Sequence, residues 1–541
     1  MIVSLDPKRF GAMALLAVLA APLWTICAHA QEISRTENKP AEVTMKEARK
    51  KAAHRQRRII FNNDGNDCRD PKPGEPRTPE NFLSKRTTAL VGSQVDAIFY
   101  CTGVFNLYTH KSEESEMERH GDQYAEDWAW ELAQQGRDSL QVMVDFGHQH
   151  GMEVFWTMRM NDTHDSGDPA LLCRWKKEHP EYLMGKPDDK LVSGGRRWSA
   201  VNYGVPEVRE KVFRILKDVC SRYDVDGIEM DFFRHPIYFK PQVLGQPVTQ
   251  AQCDMMTDLM RRVRAMTEEV ALKRGRPLLV AVRVPDSAGY CAAIGLDLKR
   301  WLQEDLIDLM AVTCYFQLSP WEESVRLGHQ YGVPVYPCLS ESRIKGEAGK
   351  MRHSLQTYRA RAMNAWNSGA DGIYIFNYFN PRAALWRELG DSKALEKLDK
   401  DYFVSARSAR EAGWWLLGGK QFVTLPHLSP EDPLTLRPGE KQIVTLPVGD
   451  DVRWGESEGI VPDLKLRLQF DKLAKAEDVS ITLNGQPLRN GGLSGEWMEY
   501  ALRLEQIVKG GNRFEIVAGP QCKAAPVLKD LLLTVRYRRS K

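Results

Sequence analysis

Short apolar runs alternate with longer amphipathic segments along most of the chain, from about residue 57 to about residue 400. Apolar runs that end in polar side chains are typical of buried strands, and the segments between them have helical spacing. Alternation of this kind predicts a parallel sheet covered by helices. The eight predicted strands lie at 57–63, 95–101, 152–160, 225–232, 278–284, 307–315, 334–339 and 372–377. Eight such units in roughly 350 residues predict a (β/α)8 barrel, the TIM barrel of the α/β class.

Two of the segments between strands carry helix signals of their own. Pro206 opens a segment whose apolar residues recur at helical spacing, and proline is favoured in the first turn of a helix. The segment 251–274 is followed by Gly275, a residue that favours the end of a helix.

The pattern changes after about residue 420, where helical spacing is lost. Short alternating segments separated by Gly, Pro, Asp and Asn predict an all-β module, a sandwich of the jelly-roll kind. The pair Asn484-Gly485 between two such segments predicts a tight hairpin. The segments lie at 442–447, 464–470, 479–483, 513–517 and 531–537.

The N-terminus has the features of a secretory signal. Lys8 and Arg9 precede an apolar run that ends in Ala28-His29-Ala30, and the run is too short for a membrane span. We therefore predict a signal peptide at 1–30 and a secreted or periplasmic protein that does not span a membrane. The rest divides into a linker with a short helix at 31–56, the barrel at 57–415 and the β-sandwich at 420–541.

Composition narrows the function classes. The formal net charge is +3 at pH 7, which indicates neither nucleic-acid nor membrane binding. The ten cysteines include one in the signal, and they show no C-x-x-C or zinc-like spacing. We predict no cofactor and no metal. Asp64, Asp67, Asp162 and His164 offer metal-ligand atoms, but no motif supports a metal site.

The fourth predicted strand carries the strongest chemical signal. In a strand of period two, Gly227, Glu229 and Asp231 share one face, which points into the barrel. Asp231 ends the strand, where barrels place their functional groups, so it is our first candidate. For Glu229 we favour a structural role, bridging to an arginine inside the barrel.

Four arginines stand at or just after the ends of four predicted strands: Arg159, Arg234, Arg283 and Arg343. Guanidinium groups bind carboxylate, sulfate and phosphate alike, so this rim favours an anionic ligand. The alternative is that the arginines neutralise the acidic residues around them, and the two interpretations have equal weight.

The segment Asp226-Gly-Ile-Glu-Met-Asp-Phe-Phe-Arg-His-Pro, with the signal and the barrel pattern, resembles the glycosyl hydrolase-like 10 family over about residues 57–400. The resemblance implies a barrel that acts on polysaccharide, with Asp231 in the role of the strand-four aspartate. The segment also resembles the family 18 chitinase signature D-G-x-D-x-D-x-E, but Phe233 occupies the position of its catalytic glutamate. The C-terminal segments are similar to galactose-binding-like modules.

Glycosidic cleavage needs a second carboxyl group besides Asp231. Glu341 follows the seventh strand and ranks narrowly first as the acid, and Asp286 follows the fifth strand. A surface ion pair with Arg343 or Lys345 is the alternative for Glu341.

The other polar and aromatic residues at the strand ends are candidates for binding sugar. Together with the four arginines, the predicted substrate-binding residues are Asn62, Asp64, Asn161, Trp198, Tyr203, His235, Tyr315 and Asn377. We therefore predict an exported glycoside hydrolase that cleaves O-glycosidic bonds in a polysaccharide or oligosaccharide. The competing hypothesis is a non-catalytic glycan-binding protein on a degenerate barrel.

Overall fold

A computed structural model describes Met1 and residues 42–69, 74–118, 128–522 and 524–537. Eight parallel strands close into a barrel in the order β1-β8-β7-β6-β5-β4-β3-β2. The strands are β1 Ile59–Asn63, β2 Val95–Cys101, β3 Glu153–Arg159, β4 Gly227–Asp231, β5 Leu279–Val284, β6 Leu309–Val312, β7 Val335–Leu339 and β8 Ile373–Ile375. The predicted (β/α)8 barrel is thereby confirmed.

The sixth and eighth strands end earlier than the apolar runs suggested. The predicted sixth strand continued to residue 315, whereas β6 stops at Val312 because Thr313 has a φ of 76°. Asn377, at the end of the predicted eighth strand, has a φ of 57°. Backbone in this region leaves the extended conformation, so the chain turns away from the sheet at both points.

Helices surround the barrel and lie in the loops between its strands. The helix at Pro206–Arg222 begins at the predicted proline. The helix at Gln250–Arg274 ends before Gly275, which has a φ of 71°, as predicted. The helices are α1 at 42–53, α2 Pro79–Arg86, α3 Trp128–Gln134, α4 Ser139–Gln149, α5 Arg174–Glu178, α6 Pro206–Arg222, α7 Lys240–Val243, α8 Gln250–Arg274, α9 Ala288–Ala293, α10 Leu298–Gln303, α11 Trp321–Gln330, α12 Gly346–Arg352, α13 Leu355–Asn367, α14 Ser392–Leu395 and α15 Arg410–Trp415.

The barrel interior is packed by aromatic rings below and by charged groups above. Phe99 and Phe155 stack with ring centroids 4.4 Å apart. A Cβ on Gly227 would lie 2.2 Å from the Phe155 ring, so the strand needs glycine there. Above them, Glu229 accepts hydrogen bonds from Thr157 at 2.8 Å and from Tyr374 at 3.0 Å.

These contacts place Glu229 inside the barrel, as the strand period predicted, but with different partners. The arginine bridge expected for Glu229 is wrong, because Arg283 pairs with Asp231 instead. Tyr374 lies on β8, so its hydrogen bond to Glu229 crosses the interior from β4.

The C-terminal part consists of two antiparallel sheets, which confirms the predicted all-β region. Its main strands are β9 Lys400–Phe403, β10 Lys441–Val448, β11 Pro462–Asp471, β12 Val479–Leu483, β13 Trp497–Leu502, β14 Gly510–Ala518 and β15 Val527–Tyr537. One sheet runs β9-β15-β11-β13 and the other β10-β14-β12. Leu446 and Phe514 from the second sheet share one buried cluster with Leu466 and Leu533 from the first. Asn484 and Gly485, with φ of 50° and 82°, form the predicted hairpin turn.

The chain crosses between the two parts more than once, so a single boundary near residue 415 does not describe the path. β9 pairs with β15 in the C-terminal sheet. The chain then returns to the barrel, where the Gly194 amide donates to the Trp414 carbonyl at 2.8 Å and the Thr424 amide to the Leu318 carbonyl at 2.8 Å. The intervening helix α15 thereby lies across loops that leave the carboxyl ends of the strands.

Apart from Met1, the predicted signal peptide lies outside the described residues, as does the first part of the predicted linker. The linker's predicted short helix is α1, and Arg49 on it forms an ion pair with the buried Asp308. Among the described residues, no helix combines the length and the apolar character that a membrane crossing requires.

Candidate active site

The barrel mouth, defined as the carboxyl ends of β1–β8 with the loops after them and α15, gathers most of the predicted site residues. The loops after β1, β3 and β4 contact one another there, and α15 contacts the loops after β3, β4 and β7. Some of the residues at the mouth form hydrogen bonds that hold the loops in place. Others keep side chains that are exposed at the mouth.

Asp231 is completely buried and fully engaged by protein donors. One carboxylate oxygen accepts from the Phe233 amide at 2.9 Å, the Arg234 amide at 2.9 Å and Arg283 Nε at 3.0 Å, and the other pairs with Arg283 Nη2. Charge-assisted bonds of this kind are strong. Substrate therefore reaches Asp231 only if Arg283 withdraws, and its catalytic role stays a prediction.

Asp286 braces a loop and does not open into the mouth. Its carboxylate accepts from the Leu318 amide at 3.0 Å and from the Ser319 amide at 3.1 Å, and the residue is buried. Burial raises the pKa of Asp286 to about 6, against the opposing effect of these amides. The carboxylate of Asp286 therefore braces this loop, and its role as the second carboxyl group stays a prediction.

Arg159 is neutralised by acidic residues on both sides. It pairs with Asp64 and, at 2.8 Å, with Asp162. Burial alone would raise the pKa of Asp162, but His164 and Arg159 outweigh it and hold that pKa well below its ordinary value. Asp64 and Arg159 are therefore a buried ion pair, not free sugar-binding groups.

Asn161 and Tyr203 also brace the mouth from within, although we predicted that both bind substrate. The Asn161 amide nitrogen donates to the Val201 carbonyl at 2.9 Å, and its oxygen accepts from the Val201 amide at 2.8 Å. Tyr203 is fully buried, and its hydroxyl donates to the Met160 carbonyl at 2.5 Å. Neither side chain has a surface left for a ligand, so the substrate-binding expectation is corrected for these two residues.

Asp162, His164 and His235 place three metal-ligand atoms within 4.8 Å of one another. Their hydrogen bonds occupy the lone pairs that a metal would need. His164 Nδ1 lies 2.7 Å from Asp162 and its Nε2 lies 3.0 Å from Arg234, while His235 Nδ1 accepts from the Thr163 amide at 3.0 Å. Burial lowers the pKa of His235 well below its ordinary value, so that ring is neutral. The cluster is a hydrogen-bonded network beside an arginine, which does not fit a cation.

Arg343 joins two carboxylates on the open side of the mouth. Its Nε lies 4.0 Å from Glu341 and its Nη1 lies 3.4 Å from Glu411, whose side chains are 49% and 29% exposed. Since both nitrogens belong to one rigid guanidinium, the two contacting carboxylate oxygens lie no more than about 10 Å apart. An upper limit of this size is compatible with the separation of about 5 to 9.5 Å between the two catalytic carboxyl groups of glycosidases.

The same guanidinium lies over the ring of Tyr315, 3.7 Å from its centroid. Tyr315 is 3% exposed, and its hydroxyl has no hydrogen-bond partner among the described residues. A pocket of about 200 Å³ opens beside this stack. It is lined by Tyr315, Ser342, Arg343, Lys345, Ser408, Arg410, Glu411, Trp414 and Glu431.

The remaining predicted residues are placed as follows. Trp198 is half-buried and donates to the Ser166 carbonyl at 3.3 Å. Asn62 is buried and donates to the Phe99 carbonyl at 3.4 Å, while its oxygen and that of Asn377 have no partner in the described part of the chain. Asn62 and Asn377 thus keep unused acceptors, and their role in binding sugar stays a prediction.

Glu411 and Trp414 belong to the site but escaped the sequence analysis. Both lie on α15, beyond the last barrel strand, where no rule of barrel architecture would look. Trp414 is 41% exposed and lines the pocket. The signal that could have found them is the run Glu411-Ala-Gly-Trp-Trp415, an acidic and aromatic cluster at a predicted module boundary.

Residues 114–255 match the model of the family described as Glycosyl hydrolase-like 10. The match includes β3 and β4 with the loops that follow them, which confirms the predicted resemblance over this segment. Among curated proteins, Glycosyl hydrolase DigH of Escherichia coli (strain K12) is 31% identical over 99 residues, or 18% of this chain. The matched segment spans only 22% of that relative's length. Glycosyl hydrolase DigH of Shigella flexneri gives the same values.

Solved structures resemble the fold only distantly. The PgaB (BpsB) glycoside hydrolase domain from Bordetella bronchiseptica has a TM-score of 0.39 and 12% identity, covering 62% of this chain and 99% of that one. Alpha-L-fucosidase isoenzyme 2 from Paenibacillus thiaminolyticus has a TM-score of 0.37 and 16% identity, covering 63% of this chain and 49% of that one. Likenesses of this size carry no information about function.

Proposed function

We propose that this protein is an exported glycoside hydrolase that cleaves O-glycosidic bonds of a polysaccharide at the barrel mouth. The observation that carries the proposal is the pair Glu341 and Glu411, an exposed and a half-buried carboxylate that both lie beside Arg343; Arg343 and Glu411 line a pocket. The match of residues 114–255 to a glycosyl hydrolase-like family supports it. Export rests on the signal-like residues 1–30.

The chemistry we propose divides between the two glutamates. One donates a proton to the departing glycosidic oxygen, while the other acts on the anomeric carbon, directly or through a water molecule. Trp414, an exposed ring that lines the same pocket as Glu411, offers a flat apolar face to a sugar. In this proposal Asp231 takes a positioning role in place of the catalytic role predicted from the sequence, because its pair with Arg283 holds the end of β4.

Substitution of each glutamate tests the proposal. Glu341→Gln and Glu411→Gln should each lower the release of reducing ends from a polysaccharide roughly 100-fold or more, the usual loss when a proton-transfer group is removed. Both side chains are exposed enough that the melting temperature should stay unchanged. Glu347→Gln, at a side chain that is 81% exposed on α12, is the matched control.

Full activity in both glutamate variants would refute the assignment of the two glutamates as catalytic groups.

The variant Asp231→Asn distinguishes a positioning role of the aspartate from a catalytic one. A positioning role predicts a lowered melting temperature, because Arg283 loses its buried partner. Complete loss of turnover with an unchanged melting temperature would instead make Asp231 the catalytic group.

A non-catalytic glycan-binding protein is the second candidate. It is favoured by the engagement of Asp231 and Asp286, the two carboxylates at the ends of β4 and β5, with the protein itself. Binding of a polysaccharide without any release of reducing ends would distinguish it from the hydrolase.

A further inference from the structure

Arg234 is a buried cation that forms no ion pair with any described carboxylate, although Asp64 and Asp162 act on it from a longer range. The residue is only 7% exposed, and its Nη2 lies 3.0 Å from His164 Nε2. Its Nε and Nη1 have no hydrogen-bond partner among the described residues. Burying an unpaired charge is costly, and burying unsatisfied donors adds to the cost.

The acidic residues that could have neutralised Arg234 are already engaged elsewhere. Asp64 and Asp162 bind Arg159, and Asp231 binds Arg283. Arg343 lies beside Glu341 and Glu411, so three of the four arginines predicted at the rim contact carboxylates, whereas Arg234 forms no ion pair with a described carboxylate. The ring centroids of Tyr315 and Phe376 lie 5.5 and 5.6 Å from the guanidinium carbon of Arg234. Neither ring gives the unpaired N–H groups of Arg234 a hydrogen-bond acceptor.

Two further arginines lie in the same part of the mouth. Arg343 and Arg234 both approach the ring of Tyr315. Arg197 donates to the Thr163 carbonyl at 3.3 Å and has no ion pair with a described carboxylate. Burial lowers the pKa of Arg197, with the added repulsion of Arg234 and Arg343 and against the opposing attraction of Asp162 and Tyr315. Like charges gathered this closely repel one another unless an anion lies between them.

We infer that Arg234 and Arg197, with the free hydroxyl of Tyr315, bind an anionic substituent of the substrate, a carboxylate or a sulfate on a sugar ring. The inference rests on the proposed function, because it names the class of glycan that the barrel mouth accepts. Each unused N–H of the Arg234 guanidinium can donate a charge-assisted hydrogen bond to an oxygen of either group.

Binding of defined polymers to the full-length protein tests this site separately from hydrolysis. The probes are polygalacturonate with its carboxyl-reduced neutral form, and dextran sulfate with dextran. Affinity for one acidic polymer should exceed that for its neutral counterpart roughly 10- to 100-fold at low salt. The polymer that shows the difference identifies carboxylate or sulfate as the recognised group.

Arg234→Gln and, independently, Arg197→Gln should abolish most of that preference for the acidic polymer. Arg262→Gln, at a side chain that is 42% exposed on α8 and paired with Glu210, is the matched control. Two variants are used because a buried arginine can be needed for folding, which the melting temperature reports.

Equal affinity for acidic and neutral polymers, binding of neither acidic polymer, or an unchanged preference in both variants would overturn the inference. Release of reducing ends from the same samples keeps it distinct from the proposed function. Hydrolysis confined to neutral polymers would support the proposed hydrolase activity and refute the anion-binding site. Binding that depends on Arg234 but is not followed by hydrolysis would support the anion-binding site and refute the hydrolase activity.

Discussion

Glu229 is a buried residue of the barrel interior whose protonation makes the stability of the fold depend on pH. It is fully buried and hydrogen-bonded to Thr157 and Tyr374 on one oxygen only. Burial raises its pKa to about 7, with a further contribution from Asp231, although Arg283 opposes the change. The protonated form is thus favoured in the folded protein.

The sign of the resulting pH dependence follows from linkage. An acid whose pKa is higher in the folded state binds more protons there than in the unfolded chain. Stability therefore falls as the pH rises from about 4.5 to about 7. Glu229→Gln should remove that loss, so its stability relative to the parent should rise by up to about 3 kcal/mol across this interval.

Urea denaturation of Glu229→Gln and the parent protein at pH 4.5 and pH 7.5 measures the effect. The exposed Glu347→Gln serves as control, with no pH-dependent difference expected. A stability difference for Glu229→Gln that is the same at both pH values would contradict the assignment.

At the scale of elements, α15 closes one side of the mouth through a buried and an exposed tryptophan. Trp415 is 2% exposed and lies with its ring centroid 5.5 Å from that of His235. Its carbonyl accepts from Gln242 at 3.1 Å. Its neighbour Trp414 faces the pocket.

Trp415→Ala should cost about 3 to 5 kcal/mol of stability, because it leaves a cavity under α15. Hydrogen exchange should accelerate at the Gly194 amide, which donates to the Trp414 carbonyl, and at the Leu417 amide, which donates to Ser193. Trp414→Ala should change stability by less than about 1 kcal/mol yet weaken binding of the substrate. Equal losses of stability in the two variants would show that α15 is not anchored by Trp415.

At the scale of the whole molecule, one buried ion pair joins the barrel to the C-terminal sheets. Arg352 on α12 forms two bonds with Asp530 on β15, at 2.7 and 2.8 Å, and both side chains are fully buried. The pairing of β9 with β15 makes a second connection. We expect the two parts to unfold together.

Asp530→Ala should destabilise the protein by about 3 to 5 kcal/mol, since it leaves Arg352 buried without a partner. The double variant Arg352→Met, Asp530→Leu should recover much of this loss, because it removes both charges. Chemical denaturation followed by tryptophan fluorescence and by circular dichroism measures these changes. A double variant as unstable as Asp530→Ala would contradict the explanation.

Much of the fold could be predicted because its signals are local. The apolar runs located all eight barrel strands, and Pro206 and Gly275 marked helix ends, since each depends on conformational preferences of nearby residues. Strand ends were less accurate at β6 and β8, where positive φ at Thr313 and Asn377 depends on the packing around the mouth.

The sequence by itself determined the architecture and which polar residues gather at the barrel mouth, because strand period and barrel topology fix the direction of each side chain. Only the tertiary structure decided which of these residues are free. Asp231 and Arg159 proved to be engaged by neighbours distant in sequence, whereas Arg234 kept unpaired donors. Glu411 entered the mouth from a segment beyond the barrel. Such pairings depend on distances between remote parts of the chain, which no local pattern encodes.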